Sequence, residues 1–345
     1  MMASNQNPRE PLVAVFTPAY NTEKYLRECI ESVLRQTYTN WEYLIVNNCS
    51  TDNTLKIAGE YAEKDPRIHI HDNTEFLNQM QNWNHGLRKI NPLSKYCKIV
   101  HGDDWLYPEC IEKMVEVAEK NDRIGIVSSY RLDESKTKHS GLPPNETSFS
   151  GKEICRQYLL RGLYLFGSPS TLLIRTDVIK QEDPFYDEKN VHADSDACLR
   201  ILSNWDFGYV HQILSYTRRH NESSTSFANR FHTRTLFTIK AFKTYGPRYL
   251  TDHEYNKREK HLLFHYHRFL VRRFFEFNEP AFWKYHRDEI RKMGVSLNWL
   301  KLMAAVLVEL TNLHDMVRLI RDAHRENHAP DTTPRASLSK VYTDQ

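Results

Sequence analysis

Short apolar segments that each lead into a polar loop recur along the first half of this chain, and this alternation constrains its fold more than any other feature. Residues 12–16, 43–46 and 96–100 have the composition of buried strands, and stretches with helical spacing of apolar residues lie between and after them. Alternating strands and helices predict a parallel sheet covered by helices. We therefore predict an α/β fold of Rossmann type with a mostly parallel central sheet.

The pattern changes after about residue 226. Strand-like segments disappear, and aromatic and basic residues crowd long stretches with helical spacing, such as 262–277 and 297–310. A chain of 345 residues is also long for a single compact core. We predict an N-terminal extension at 1–10, an α/β domain at 11–226, a helical C-terminal region at 227–327 and a disordered tail at 328–345.

Composition argues against several classes of protein. A net charge of +3 is too small to indicate nucleic-acid binding. No stretch approaches the roughly 18 apolar residues that span a bilayer, and residues 1–10 lack the apolar run of a signal peptide. The six cysteines are scattered without a Cys-x-x-Cys pair, which predicts reduced thiols and no zinc site. We expect a cytoplasmic protein.

Two adjacent aspartates, Asp103 and Asp104, closely follow the apolar strand at 96–100. In an open α/β sheet, ligands bind at the carboxyl ends of strands, where these acids would lie. Neighbouring carboxylates repel each other, and a hard divalent cation such as Mg²⁺ or Mn²⁺ offsets their charge. A solvated helix cap is the other interpretation, and the spacing alone leaves both open.

Polar loops at 17–21 and 47–53 follow the first two strands and should open at the same sheet edge as the aspartates. Each loop alone is explained as a turn, because Pro, Asn, Ser and Asp favour turns through local hydrogen bonds. Together with the two acids, the loops predict a nucleotide pocket.

Seven motifs between about residues 11 and 226 follow one another in a defined order and spacing. They are Pro18-Ala19-Tyr20-Asn21, Ser32-Val33-Leu34-Arg35-Gln36-Thr37-Tyr38, Asn48-Cys49-Ser50-Thr51-Asp52, Asn82-Trp83-Asn84, Gly102-Asp103-Asp104, Ala193-Asp194-Ser195-Asp196-Ala197-Cys198-Leu199-Arg200 and Tyr216-Thr217-Arg218-Arg219-His220. As a set, they resemble family-2 glycosyltransferases of the GT-A fold. The resemblance implies an inverting enzyme that moves a sugar from a nucleotide-sugar donor to an acceptor hydroxyl, typically in cell-surface polysaccharide biosynthesis.

The resemblance also implies which residues bind the donor. The predicted base-binding residues are Thr17, Pro18, Ala19, Tyr20 and Asn48. Asp103 would bind the ribose or the metal, and Asp104 the metal and diphosphate, with Mn²⁺ or Mg²⁺ making the nucleoside diphosphate a good leaving group. Arg218 and His220 would supply positive charge over the diphosphate, His220 also serving as a metal ligand.

Asp194 matches the family's general base, which takes the proton from the attacking acceptor hydroxyl. Attack opposite the leaving group inverts the anomeric configuration. The other interpretation of Asp194 is a cap of the helix beginning near Ala193. Asp196 is the second choice for the base, with a pair to Arg200 at i+4 as its alternative role. Ser168 and Ser170, in a loop before a strand, would contact the acceptor.

Three departures from the family pattern affect these predictions. Asn48 stands where an Asp is common, Ala193 replaces an acid, and His101 replaces the first acid of an Asp-x-Asp, which leaves it at most an auxiliary ligand. An Asn still offers a carbonyl acceptor, so a UDP-sugar remains the first guess for the donor. A non-catalytic nucleotide-sugar-binding or scaffold module is the main alternative, and a sugar nucleotidyltransferase a weaker one.

The acceptor implied by the resemblance is a saccharide or a lipid-linked saccharide. The aromatic and basic stretch at 262–275 is compatible with peripheral contact at the inner face of a membrane, with acceptor binding, and with a homo-oligomer interface. The density of Leu, Phe and Val there favours packing within the protein, because Arg and His can keep their charged ends in water.

Overall fold

The computed structural model describes residues 10–133, 136–138, 141–218, 225–276, 279–296 and 298–311. The predictions for residues 1–9, for His220 and for the tail at 328–345 lie outside the described residues. The chain divides into two compact units, residues 1–219 and 220–345. This division falls slightly before the boundary predicted at residue 226.

The first unit carries the predicted alternation of strands and helices. Its strands are β1 (Val13–Ala19), β2 (Trp41–Asn47), β3 (Ile68–Asp72), β4 (Tyr96–Ile99), β5 (Trp105–Leu106), β6 (Ile124–Asp133), β7 (Lys136–Lys138), β8 (Ser148–Phe149), β9 (Leu173–Arg175) and β10 (Asp206–Thr217). Its helices are α1 (Leu26–Leu34), α2 (Thr54–Ala62), α3 (Gln79–Leu87), α4 (Cys110–Ala118), α5 (Gly151–Arg161), α6 (Thr176–Lys180) and α7 (Ala193–Ile201), with a 3-10 turn at Pro169–Thr171.

The described strands form one sheet in the order β3-β2-β1-β4-β9-β6-β10-β5, with β7 on β6 and β8 on β10. Pairing is parallel from β3 to β4 and again between β6 and β10. The prediction of an α/β fold with a mostly parallel sheet is confirmed. Among the described strands, antiparallel pairing is confined to pairs with the short strands β5, β7, β8 and β9, of which β9 lies between β4 and β6.

Strand β1 lies in the middle of the parallel part and is longer than its apolar run predicts. It continues through Ala19 because β2 still pairs with it there, in the register Thr17↔Ile45 and Ala19↔Asn47. Strand β4 ends opposite Phe16, so Pro18, which has no N–H, lies beyond the ladder on that side. The first part of the predicted loop at 17–21 is therefore strand.

The core of the first unit surrounds β1. Val13 and Val15 are fully buried and pack in one apolar cluster with residues of α1, β2 and α4, including Ile30, Tyr43 and Met114. Burial of such side chains contributes about 1.5–3 kcal/mol each to stability. All six cysteines are free thiols and five of them are buried, as predicted. This core holds the carboxyl ends of β1, β2 and β4 at one edge of the sheet.

The second unit is helical over its described residues, as predicted. Its helices are α8 (Thr225–Arg230), α9 (Thr233–Tyr249), α10 (Asp252–Phe275), α11 (Pro280–Lys292) and α12 (Trp299–Thr311). Helix α10 starts in a capping box in which Thr251 and Glu254 bond to each other's backbone N–H. Tyr266 and Leu270 of α10 pack on Leu236 and Ile290.

The basic and aromatic stretch of α10 is thus partly core, which supports the packing interpretation. Arg268 and Arg272 of this stretch form ion pairs with Glu309 of α12. Among the described helices, none is long and apolar enough to cross a membrane.

Candidate functional site

Three loops meet at the carboxyl ends of β1, β2 and β4. The Asn21 side-chain oxygen accepts a hydrogen bond from the Thr51 backbone N–H at 2.9 Å, and the Asn21 backbone N–H donates to Ser50 Oγ at 3.0 Å. In the third loop, a Cβ added at Gly102 would lie 3.1 Å from Thr22 Oγ1. The loops predicted to form a pocket are therefore packed together, and the glycine allows their close approach.

Asp104 is buried at the centre of this arrangement, only 3% exposed. Its Oδ2 accepts a hydrogen bond from Ser170 Oγ at 2.6 Å, and its Oδ1 accepts one from the Arg218 backbone N–H at 3.1 Å. Burial, and then the neighbouring charge of Asp103, raise the pKa of Asp104 well above its ordinary value. His101 Nδ1 lies 4.0 Å from Asp104 Oδ2, and the charge of Arg131 acts in the opposite direction, to lower this pKa.

His101, Asp103 and Asp104 form a cluster that can hold a metal ion. One ligand atom from each residue lies within 4.8 Å of the others. His101 Nε2 is buried without a hydrogen-bond partner among the described residues, and burial lowers the pKa of the imidazole, which favours the neutral ligand form. The Trp83 ring packs on His101 with centroids 4.8 Å apart.

Two carboxylates suit Mg²⁺ or Mn²⁺, with the imidazole as an additional ligand. A cation bound there would also offset the charge that raises the pKa of Asp104. The residues present therefore fit the divalent metal that the sequence predicts.

Ser170 corrects a prediction. It was expected to contact the acceptor, but its side chain is fully buried. Its Oγ donates to Asp104 and accepts a hydrogen bond from the His101 N–H at 3.1 Å. Residues 100–104, which contain Asp103 and Asp104, form the acidic loop. Ser170 lies beneath this loop because the 3-10 turn packs against β4, so its side chain does not face an incoming sugar. Ser168 is partly exposed, and its acceptor role stays a prediction.

Arg218 lies beside the acidic loop. Its Nε donates to the Asp103 carbonyl oxygen at 3.2 Å, and its NH2 group donates to the Glu28 carboxylate at 2.6 Å. Its guanidinium also lies 4.5 Å from the centre of the Tyr25 ring. The structure thus brings Arg218 to Asp103 and Asp104, whereas the predicted partner His220 is outside the described residues.

The predicted base-binding residues in β1 and directly after it alternate between buried and more exposed positions, as side chains of a strand do. The Thr17 and Ala19 side chains are fully buried, and Thr17 Oγ1 bonds to the Tyr43 hydroxyl at 2.8 Å. Because the side chains of Thr17 and Ala19 face the core, these residues could contact a base only through their backbone, and their role stays a prediction. Pro18 is partly exposed and Tyr20 is 43% exposed.

Phe76 is a site residue that the sequence did not reveal. Its ring is 48% exposed and meets the Tyr20 ring edge to face, with centroids 5.0 Å apart. The two rings form an exposed aromatic pair beside the loops. Phe76 belongs to no motif, and only its position opposite Tyr20 identifies it.

The side chain of Asn48 is occupied by bonds within the protein. Its Oδ1 accepts from Asn73 Nδ2 and from the Leu77 N–H, both at 3.0 Å, and its Nδ2 donates to the Leu77 carbonyl oxygen at 2.8 Å. Leu77 follows Phe76 directly. Asn48 thus fixes the segment that presents Phe76, and any effect on a base by these bonded groups is indirect.

Asp194 lies in the first turn of α7 and is partly exposed. The residue preceding the helix is His192, so Asp194 is not the N-cap that the alternative interpretation proposed. The charge of Asp194 acts on the His101 imidazole, which places the carboxylate within electrostatic range of the metal-binding cluster. The structure therefore brings the predicted base to the same edge of the sheet as Asp103 and Asp104.

Asp196 lies in the same turn, two residues further on. Its predicted i+4 partner, Arg200, donates instead to Glu182 at 2.8 Å and to the Phe185 carbonyl oxygen at 2.6 Å. These bonds tie α7 to the segment that precedes it.

The comparisons with known proteins agree with this geometry. The chain is 30% identical over 243 residues to an uncharacterized glycosyltransferase of Haemophilus influenzae, covering 67% of this chain and 72% of that protein. Among solved structures, S. aureus TarS (1–349) in complex with UDP-GlcNAc has a TM-score of 0.53 at 18% identity, covering 89% of this chain and 81% of that one. Mannosyltransferase PcManGT from Pyrobaculum calidifontis, in complex with GDP-Man and Mn²⁺, has a TM-score of 0.52 at 15% identity, covering 93% and 88%.

These two structures show that the fold is GT-A, as the motifs predict. Residues 14–182 match the family model described as Glycosyl transferase family 2. That range contains the three interlocked loops, Asp103, Asp104 and Ser170. Sequence relatives and fold therefore lead to the same conclusion: this chain belongs to glycosyl transferase family 2.

Proposed function

We propose that this chain transfers a sugar from a nucleoside diphosphate sugar to an acceptor hydroxyl, with inversion at the anomeric carbon. The observation that carries the proposal is the buried Asp104 carboxylate at the carboxyl end of β4, beside Asp103 and His101. Within the part of the chain that the structure describes, no lysine or arginine side chain is hydrogen-bonded to this carboxylate, an unfavourable arrangement for stability alone. It is useful where a cation and a diphosphate bind.

The donor we propose is a UDP-sugar. Tyr20 and Phe76 offer an aromatic surface on which a base can stack, and the Asp103 carboxylate can accept a hydrogen bond from the ribose. Stacking does not distinguish uracil from guanine, and similar folds are seen with UDP-GlcNAc and with GDP-Man. Selection of uracil over guanine would therefore depend on hydrogen bonds to the edge of the base.

Asp103, Asp104 and His101 are the proposed ligands of a divalent cation. Such a cation, when bound, lowers the free energy of the nucleoside diphosphate leaving group by offsetting its developing negative charge. The guanidinium of Arg218 adds positive charge on the same side, since it bonds to the Asp103 carbonyl oxygen. Glu28 holds that guanidinium in place.

Asp194 is the proposed general base. Asp194 lies in the first turn of α7, where the positive end of the helix dipole favours a negative charge. It is a weak base, and it becomes effective because the acceptor hydroxyl loses its proton only as its oxygen bonds to the anomeric carbon. The acceptor is a saccharide, free or lipid-linked, that enters beside α7.

Thermal stabilisation by nucleoside diphosphates, each measured with and without Mn²⁺, tests the donor site. Ligands that bind only the folded state raise its stability in proportion to the logarithm of their concentration over Kd. We expect a Mn²⁺-dependent shift that is largest with UDP. The absence of any shift would contradict the donor site.

Asp194→Asn separates catalysis from binding. The variant should keep the UDP shift and lose about 10²- to 10⁴-fold in transfer rate, the usual contribution of a general base. Full transfer activity in this variant would exclude Asp194 as the base and direct attention to Asp196. A Mn²⁺-dependent shift without turnover by the wild-type protein would favour the non-catalytic binding module.

A further inference from the structure

A lysine lies in the interior of the sheet directly behind the acidic loop. Lys98 is in β4, and its side chain is fully buried. Its Nζ donates hydrogen bonds to the Ser170 carbonyl oxygen at 2.7 Å and to the Leu172 carbonyl oxygen at 3.2 Å. Met114 Sδ lies 3.7 Å from the same nitrogen. The partners of this ammonium are thus two carbonyl oxygens, a thioether and the Cys110 thiol.

These bonds connect Lys98 to Asp104 through one residue. The Lys98 Nζ holds the carbonyl of Ser170, while the Ser170 hydroxyl donates to Asp104 Oδ2 at 2.6 Å. The same hydroxyl accepts the N–H of His101, the first residue of the cluster. Lys98 of β4 and His101, two residues after the end of β4, therefore hold Ser170 at two points, its carbonyl oxygen and its hydroxyl.

The Lys98 ammonium satisfies two buried carbonyl oxygens, but it is also costly to bury. Burial of a charged group is unfavourable, and here burial lowers the pKa of Lys98. An apolar side chain of similar length would pack in the same space without that penalty. The charge of Asp104 acts on Lys98 and favours its protonated form. The lysine and the aspartate are thus coupled both by bonds through Ser170 and by charge.

We propose that Lys98 is a positioning residue that, through Ser170, holds the Asp104 carboxylate in the orientation that binds a divalent cation. The inference rests on the proposed function, which makes Asp104 a ligand of that cation. Ser170 is the link, and the two residues act as one unit. Neither touches the cation, the donor or the acceptor.

The test compares Lys98→Met, Ser170→Ala and the double variant in the full-length chain. Binding of Mn²⁺ alone and of UDP with Mn²⁺ is measured by titration calorimetry, and the melting temperature is recorded without ligand. Each single variant should weaken Mn²⁺ binding about tenfold or more, the usual effect of losing a hydrogen bond to a charged group. The double variant should be no weaker than the more affected single variant, because both changes break the same connection.

Thr171→Val is the matched control. Thr171 belongs to the same turn and is equally buried, and its Oγ1 accepts the Ser168 N–H at 3.1 Å, with no bond to Asp104. This variant should lower the melting temperature and leave Mn²⁺ binding unchanged. Lys98→Met also removes the donor of two buried carbonyl oxygens, so its melting temperature should fall too, and it is the weaker Mn²⁺ binding that distinguishes it from Thr171→Val.

Two outcomes separate failure of the inference from failure of the proposed function. Wild-type protein that binds Mn²⁺ while Lys98→Met binds it equally well would overturn the role of Lys98 and leave the proposed function intact. Wild-type protein that binds no Mn²⁺, with or without UDP, would overturn the proposed function and with it the inference. Additive losses in the double variant would show that Lys98 acts by a route other than Ser170.

Discussion

Each of the two units buries a carboxylate, and the two carboxylates have different hydrogen-bond partners. Asp104 in the first unit is 3% exposed and Glu309 in the second is 5% exposed. Glu309 bonds to two guanidinium groups, from Arg268 at 2.6 Å and from Arg272 at 2.9 Å. Asp104 bonds to the Ser170 hydroxyl and the Arg218 backbone N–H.

The pKa values follow this difference. Although burial acts to raise the pKa of Glu309, hydrogen bonds from Arg272 and Arg268 bring it below its ordinary value. Burial and the charge of Asp103 raise the pKa of Asp104. The charge of Glu309 is therefore compensated by two arginines, as in a structural ion pair, whereas no arginine or lysine side chain among the described residues is hydrogen-bonded to Asp104. Burial alone does not separate a structural acid from a functional one, but its partners do.

Asp104→Asn should have the largest effect on function. Loss of a proposed metal ligand should reduce Mn²⁺-dependent UDP binding and sugar transfer by at least about a hundredfold, since even residues that only orient metal ligands contribute 10- to 100-fold. The melting temperature without metal should not fall, because a poorly compensated buried charge is removed. Calorimetry and thermal unfolding measure both. A variant that melts much earlier would make Asp104 a structural acid like Glu309.

Glu309→Gln should show the reverse behaviour. Removing one partner of a buried ion pair leaves the guanidinium groups without their counter-charge, so the free energy of unfolding should fall by about 3 kcal/mol. Urea denaturation followed by circular dichroism measures it. Glu289→Gln is the control, because Glu289 pairs with the exposed Lys292 and should lose less than about 1 kcal/mol. Equal losses in the two variants would contradict the comparison.

The two arginines around Glu309 should contribute unequally. The Arg268 side chain is 22% exposed and that of Arg272 is 46% exposed, so water screens the second pair more. We expect Arg268→Met to lower the free energy of unfolding by about 1.5 kcal/mol and Arg272→Met by about 0.5 kcal/mol. The same denaturation experiment ranks them, and a larger loss for Arg272→Met would reverse the assignment.

The smallest effect should be the pH dependence of the Glu309 contribution. Because its pKa is lowered in the folded state, this contribution is complete above the unfolded value of about 4.3 and is lost as the pH falls through the folded value. The difference in unfolding free energy between wild type and Glu309→Gln should therefore be constant from about pH 6 to 8 and shrink below about pH 4. A difference that grows on acidification would have the wrong sign.

Features with a local cause could be predicted from the sequence. The apolar run before Asp103 and Asp104 specifies both a strand and the end at which the acids emerge, and the structure places them there. Asp194 was found through a family motif, and the structure places it near the same cluster.

Features that depend on packing between distant segments could not be predicted. Thr17 faces the core because β2 continues to pair with β1 beyond the apolar run. The residues of β1 alone do not indicate that this pairing continues. Ser170 bonds to Asp104 because its turn folds beneath a loop that lies 66 positions earlier in the chain. Phe76 is recognised as a site residue only because the structure places its ring against that of Tyr20. The connection from Lys98 through Ser170 to Asp104 has one trace in the sequence, a lysine within an apolar strand, and that trace does not indicate which residues the lysine contacts.

The mutual bonds between the loops after β1 and β2 have a kinetic and entropic consequence. Asn21 and Thr51 join them at the tips, and Thr22 and Glu23 bond to Thr54 and Asp52 further along. Loops fastened in this way are already ordered in the free protein, so a nucleotide that binds against them need not immobilise the backbone as it arrives. Encounter and capture can then follow each other without a slow rearrangement, as in a rigid receptor.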